Sequence, residues 1–130
     1  MILVDTSVWI DYLAGVGDSH TASFDRALGS TEIVLGDLIL TELLQGLREG
    51  PQLRAVTAQL SAFRVVTLGG EAIARAAAAN YRQMRTRGLT VRGTVDLIIA
   101  TWCIENNVEL LHHDRDFASM QSAIGLTPYR

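Results

Sequence analysis

Short apolar runs alternate along this chain with longer stretches in which apolar positions return every three or four residues. The first period predicts strands and the second amphipathic helices. MILV (1–4) reads as a strand buried on both faces, and Asp5 ends it. TEIVL (31–35), VVTL (65–68) and VELLHH (108–113) repeat that signature. Between them, Thr6 or Ser7 is placed to cap a helix over VWIDYLA that Gly15 stops. SHTASFDRALG opens on hydroxyl residues and closes on Gly29, a second short helix. Asp37 is expected as the N-cap of DLILTELLQGLREG, and Pro51 stands in the first turn of PQLRAVTAQLSAFR. EAIARAAAANYRQMRTRG is alanine-rich and strongly helix-forming. Thr94 is expected to cap VDLIIATWCIENN. DRDFASMQSAIG reads as a loop and short helix, and LTPYR as an edge strand, where Pro128 is tolerated.

Strands that alternate with helices call for an α/β fold: a three-layer sandwich, with a mostly parallel central sheet of about five strands and helices on both faces. The 130 residues form one domain, 1–130, with no linker, repeat or low-complexity tract beyond Ala76–Ala79. A chain of this size buries roughly two-thirds of its unfolded surface and needs no disulfide or structural metal. In such a sheet a ligand binds beyond the carboxyl ends of the strands. The polar residues gathered there decide the chemistry.

Composition narrows that chemistry. All 11 basic residues are arginine, which excludes a P-loop lysine, a Schiff-base lysine and the lysine of receiver-type phosphotransfer sites. A net charge of -3 disfavours a uniformly basic nucleic-acid binder but leaves room for a local basic patch. The single cysteine, Cys103, lies in the apolar run LIIATWCI and reads as a small core residue. No basic residue precedes the first apolar stretch, and no window is long and apolar enough for a transmembrane helix. The expectation is a cytoplasmic protein that does not engage a membrane.

Carboxylates recur where the strands end. Asp5 follows the first strand, and Asp114 and Asp116 follow VELLHH. Asp96 lies in the first turn of a helix that is apolar nearly all round until Glu105. Glu42 sits at the margin of the stripe formed by Ile39, Leu43 and Leu47. Each alone has an ordinary use: Asp5 as a helix cap, Asp96 as an acid favoured by the helix dipole, Glu42 as a surface group, Asp116 as an N-cap or supporting acceptor. As a set they imply a cation, because acids crowded into one pocket repel and one of them would otherwise keep its proton. Oxygen ligands suit Mg²⁺, with Mn²⁺ as a substitute. His20, His112 and His113 lack the spacing of a zinc site, and the last two read as strand-end polar residues.

MILVDTSVWIDYL resembles the opening of PIN-domain nucleases, and the resemblance continues through TELLQGL, TVDLIIA and ELLHHDRDF. It spans nearly the whole chain and points to the short VapC toxins of bacterial toxin–antitoxin pairs. The resemblance implies that Asp5, Glu42, Asp96 and Asp114 form the catalytic acidic quartet, with Asp5, Asp96 and Asp114 on the metal. Asp116 matches a further acid, and which of Asp114 and Asp116 binds metal directly stays open. Thr6 or Ser7 matches the small polar residue after the first aspartate, and Thr94 the polar residue two before the third acid. It also implies metal-dependent cleavage of RNA, tRNA or another structured RNA, by an activated water. A cognate VapB-type antitoxin follows from it as well, and it agrees with the homodimer expected from the leucine-rich helices around 37–63.

RNA must reach an acidic site, and YRQMRTRGLTVRG, with Arg82, Arg85, Arg87 and Arg92, contains no acid and leads to Asp96. These arginines are the candidate phosphate contacts; the plain alternative is a solvated helix end. Two other functions compete. A haloacid-dehalogenase-type phosphatase would need a second aspartate at position 7, where Ser7 stands, and a lysine. A catalytically silent PIN-like RNA-binding or interaction module would be expected to lose acids that this chain keeps.

Overall fold

A computed structural model describes residues 1–130. The elements run β1 (Ile2–Val4), α1 (Thr6–Leu13), α2 (Ser19–Leu28), β2 (Ile33–Gly36), α3 (Asp37–Gln45), α4 (Pro51–Leu60), β3 (Arg64–Val66), α5 (Glu71–Thr86), α6 (Thr94–Glu105), β4 (Glu109–Leu111) and α7 (Arg115–Ile124). The strands form one parallel sheet in the order β3-β2-β1-β4. Ile2, Leu3, Val4, Val34 and Leu110 are all but inaccessible, as strands covered on both faces must be.

The sheet has four strands rather than about five. LTPYR contributes a single parallel bridge, Leu110 to Pro128. Leu110 N–H donates to Thr127 O, and Tyr129 N–H donates to Leu110 O. Both bonds use the residues flanking Pro128, whose missing N–H faces away from β4 and leaves this edge without a donor. His112 and His113 lie beyond β4 and outside the sheet, contrary to the strand expected over 108–113.

Chain order and strand order together place the site. β1, β2 and β3 step outward in one direction, and β4 then returns to the other side of β1. α1 packs on α2 and α3, while α5 packs on α6 and α7. Right-handed crossovers put these two groups on opposite faces, which completes the three layers. The direction reverses between β1 and β4, and a crevice opens beyond the carboxyl ends of those two strands.

Helix boundaries depend on caps that differ from the expected ones. Asp5, not Thr6 or Ser7, caps α1, and Asp18 caps α2 in a reciprocal box with Thr21. Gly36 precedes α3, and Asp37 instead accepts from Leu68 N–H at 3.0 Å, tying α3 to the segment after β3. Gly93, not Thr94, stands at the N-cap of α6. α3 ends at Gln45, short of the expected Gly50, and α7 is a ten-residue helix that the sequence read as partly loop. On α6, which the sequence makes apolar nearly all round, the buried residues are Leu97 and Ile99 through Cys103, while Val95 is exposed. One core unites the layers, with Trp9 edge-on to Phe24 and Phe63.

Candidate active site

β1 delivers Asp5 straight into the crevice. Its N–H bonds Leu111 O at 2.9 Å, so the end of β1 is pinned to the end of β4. The Asp5 carboxylate is 5% exposed and accepts from Ser7 Oγ at 2.7 Å. Burial raises its pKa above the usual aspartate range, the bonds from Ser7 oppose this, and Asp114 adds to it. The same carboxylate thus serves as the helix cap that the sequence allowed and as one wall of an acidic centre.

Asp96 stands in the first turn of α6, where the helix dipole favours the charged form. Yet its pKa is pushed up to about 6, first by burial and then by Asp5, Asp114, Glu42 and Asp116. The other four predicted acids, from β1, α3 and α7, all act on this one carboxylate. None of the five forms an ion pair. Its Oδ2 lies beside Gly93, 3.6 Å from where a Cβ would stand.

The supporting residues divide their roles. Thr6 Oγ donates to Glu42 Oε1 at 2.7 Å, which joins α1 to α3 and holds the glutamate in place. Asp114 caps α7 by accepting Asp116 N–H on Oδ1 at 2.7 Å. The capping role considered for Asp116 is therefore Asp114's. Asp114 N–H in turn donates to His112 Nδ1 at 3.2 Å, and burial holds His112 below the usual imidazole range. Thr94 forms no hydrogen bond to the acids and lines a separate groove with Arg82, Tyr81 and Leu97.

A cleft of about 430 Å³ opens beside this centre, lined by Ser7, Arg92, His113, Asp114, Arg115 and Asp116. Of the four arginines singled out from the sequence, Arg92 is the one in this cleft. Arg85 stacks over Tyr81, and Arg87 donates to Ser122 O at 3.3 Å. Arg115 was missed; its signal was its position between two aspartates at a helix start. His113 was assigned no role, and it pairs with Asp11 at 3.3 Å. Cys103 is buried, and burial pushes its thiol far above the normal range, so it is no nucleophile.

No three of these groups, as placed, form a complete ligand set. Mg²⁺ demands less, since it takes one or two carboxylates and keeps several waters. Hard oxygen donors outside any ion pair, with Asp5 and Asp96 raised in pKa, fit such an ion.

The profile of the PIN domain family matches residues 2–122. The chain belongs to the PIN domain family. Ribonuclease VapC11 from Mycobacterium tuberculosis is 29% identical over 119 residues, covering 90% of this chain and 89% of that protein. This PIN domain superposes on a chain of VapBC2 from Rickettsia felis, solved bound to a promoter DNA fragment, with a TM-score of 0.78 at 17% identity, covering 98% of this chain and 97% of that one. It superposes on FitAcB from Neisseria gonorrhoeae with a TM-score of 0.74 at 21% identity, covering 100% and 97%. At those identities the structures speak for the fold alone.

Proposed function

We propose that this PIN domain is a metal-dependent endoribonuclease toxin that hydrolyses phosphodiester bonds of tRNA or another structured RNA in the cytoplasm, neutralised by a VapB-type antitoxin. One observation carries the reading: Asp5, Glu42, Asp114 and Asp116 converge on Asp96 from separate elements with none of the five in an ion pair, and together with burial they raise Asp96 to about 6. The name of VapC11 supports the ribonuclease, and the likeness to a chain of a toxin–antitoxin complex from Klebsiella pneumoniae, with a TM-score of 0.70, supports the partner.

Asp5, Asp96 and Asp114 are the residues that would hold Mg²⁺ or Mn²⁺. When bound, the ion supplies Lewis acidity toward phosphoryl oxygen and a lowered pKa for water. The chain's own groups do the rest. Ser7 bonds the carboxylate of Asp5 and Thr6 that of Glu42, and these bonds hold both acids at the centre, where Glu42 would take a proton through its second oxygen. Arg92 and Arg115 offer bidentate contacts to phosphate in the cleft. Arg82, Arg85 and Arg87 extend that surface along α5.

A homodimer through α3 and α4 is part of the proposal. Leu38, Leu40 and Leu44 on α3 are only partly covered, and α4 buries little beyond Leu60. A second copy would cover this face.

The test is cleavage of a panel of tRNAs and ribosomal RNA with Mg²⁺ and with EDTA. Wild-type protein is expected to cut in Mg²⁺ alone, and Asp5→Asn to lose on the order of 100-fold or more. Binding without cutting would favour the silent interaction module, and release of phosphate from monoesters the phosphatase.

A further inference from the structure

We infer that a second cavity, next to the acidic cleft, binds a flanking nucleotide of the RNA strand. This rests on the ribonuclease reading and adds a binding site to it. The cavity measures about 470 Å³, within the usual range for small-molecule sites of about 300–1,000 Å³. Its wall contains the guanidinium groups of Arg26 and Arg130, the hydroxyl residues Ser19 and Ser23, the imidazoles of His20 and His112, and Tyr129. No aspartate or glutamate side chain lines it, although the chain carries 14 acids and a net charge of -3. Two guanidinium groups beside hydroxyls, with no acidic side chain to pair them, select an anion, and an aromatic ring among them selects a base. A nucleotide has both.

Local structure builds this wall from segments distant in sequence. The bridge between Leu110 and Pro128 runs parallel, so it carries Tyr129 and Arg130 alongside Leu111 and His112. Arg26 Nη2 donates to Ser23 Oγ at 2.9 Å, which steadies the guanidinium while leaving its other donors free. The two depressions are neighbours. His112 lines the cavity and accepts from the N–H of Asp114, which lines the cleft. The ring of His20, in the cavity wall, lies 4.8 Å from that of His113, in the cleft wall. A strand whose scissile phosphate sits by Asp114 and Arg92 would cross this histidine pair and place its next nucleotide in the cavity, phosphate toward Arg26 and Arg130 and base toward Tyr129. The first three arginines of the α5 patch are not part of this path; the substrate would leave the centre on two sides.

The experiment measures binding of a fluorescently labelled mixed-sequence RNA 12-mer in EDTA, which stops cleavage, alongside Mg²⁺-dependent cleavage of the same RNA. Arg26→Ala/Arg130→Ala is expected to weaken binding about tenfold and to lower the slope of log K against log salt by about 1.4, about 0.7 per lost phosphate contact. Tyr129→Leu, which keeps apolar packing, is expected to lose about fivefold or more, and Tyr129→Phe to bind as wild type. Arg75→Ala, an exposed arginine paired with Glu71 at 2.8 Å, is the control. Melting temperatures verify folding, and 4-thiouridine RNA should cross-link to Tyr129 or its neighbours. If wild type cleaves RNA while the Arg26, Arg130 and Tyr129 variants bind and cross-link unchanged, the cavity proposal is overturned and the nuclease reading stands. If RNA binds through the cavity but is never cut, the cavity stands and the nuclease reading fails. A mixture of nucleoside monophosphates that binds there as tightly as the 12-mer and does not displace it would mark a separate small-molecule site and overturn the proposal.

Discussion

Asp96 concentrates the physics of the site in one carboxyl group. A first-turn aspartate on an exposed helix end would titrate near or below 4; here burial and neighbouring acids lift it to about 6. The folded, ion-free protein therefore binds more protons than the unfolded chain between about pH 4 and about pH 6. Stability contributed by this group is present below that window and falls as pH rises through it. Asp5 shifts in the same direction. Asp96→Asn should remove this part of the slope and raise the melting temperature in EDTA at neutral pH, while cleavage in Mg²⁺ is lost. Thermal denaturation from pH 4 to 8 measures it. A variant that loses as much stability across the window as wild type would show that the carboxyl is not electrostatically strained.

At the scale of elements, the join between β2 and α3 shows how tightly the sheet is held to its crossovers. A Cβ on Gly36 would run into the Cδ1 of Leu68, well inside van der Waals contact, and Leu68 is fully buried. Asp37, the next residue, accepts from Leu68 N–H. The chain after β3 thus lies directly against the end of β2, and only glycine leaves room for it. Gly36→Ala is expected to cost about 1–3 kcal/mol through overpacking, read as a lower urea midpoint at unchanged m-value. Because α3 carries Glu42, the same change should reduce cleavage more than a surface substitution of equal stability cost. A stability within error of wild type would mean that Leu68 changes rotamer freely.

Across the whole molecule, the arginines divide into those at the acidic centre and those along α5. Arg92 shares a cleft with Asp114 and Asp116, whereas Arg82 and Arg85 line other grooves. Arg92→Ala should lower kcat, since a cation there acts on charge that develops during cleavage. Arg82→Ala/Arg85→Ala should raise KM and lower the salt slope by up to about 1.4, with kcat unchanged. Steady-state kinetics over a salt titration separates the two, and equal effects on kcat would contradict the division. The dimer belongs to this scale too. Sedimentation at micromolar concentration should give twice the mass of 14.2 kDa, and replacing Leu40 and Leu44 by serine should give monomers. A wild-type monomer without antitoxin would count against that interface.

By itself, the sequence determined the alternation of strands and helices, the positions of the acids relative to strand ends, and the burial of Cys103. These follow from local periodicity, because a strand covered on both faces needs an unbroken apolar run, and the polar residue ending it marks the rim of the sheet. The roles of Thr6 and Ser7 were legible only as small hydroxyls; their separate partners, Glu42 and Asp5, depend on how α3 packs against α1. Caps were misplaced by a residue at α3 and α6, since Gly36 and Gly93 stand at those helix starts without a capping side chain and the polar residue that follows looks like the cap until the backbone direction is known. Only the tertiary structure decided that Arg92 and Arg115 share a cleft with Asp114 and Asp116 while Arg82, Arg85 and Arg87 do not, and that a cavity without acidic side chains stands beside it. Such facts depend on where β4 returns next to β1. That return is a long-range pairing, and no local pattern of hydrophobic positions encodes it.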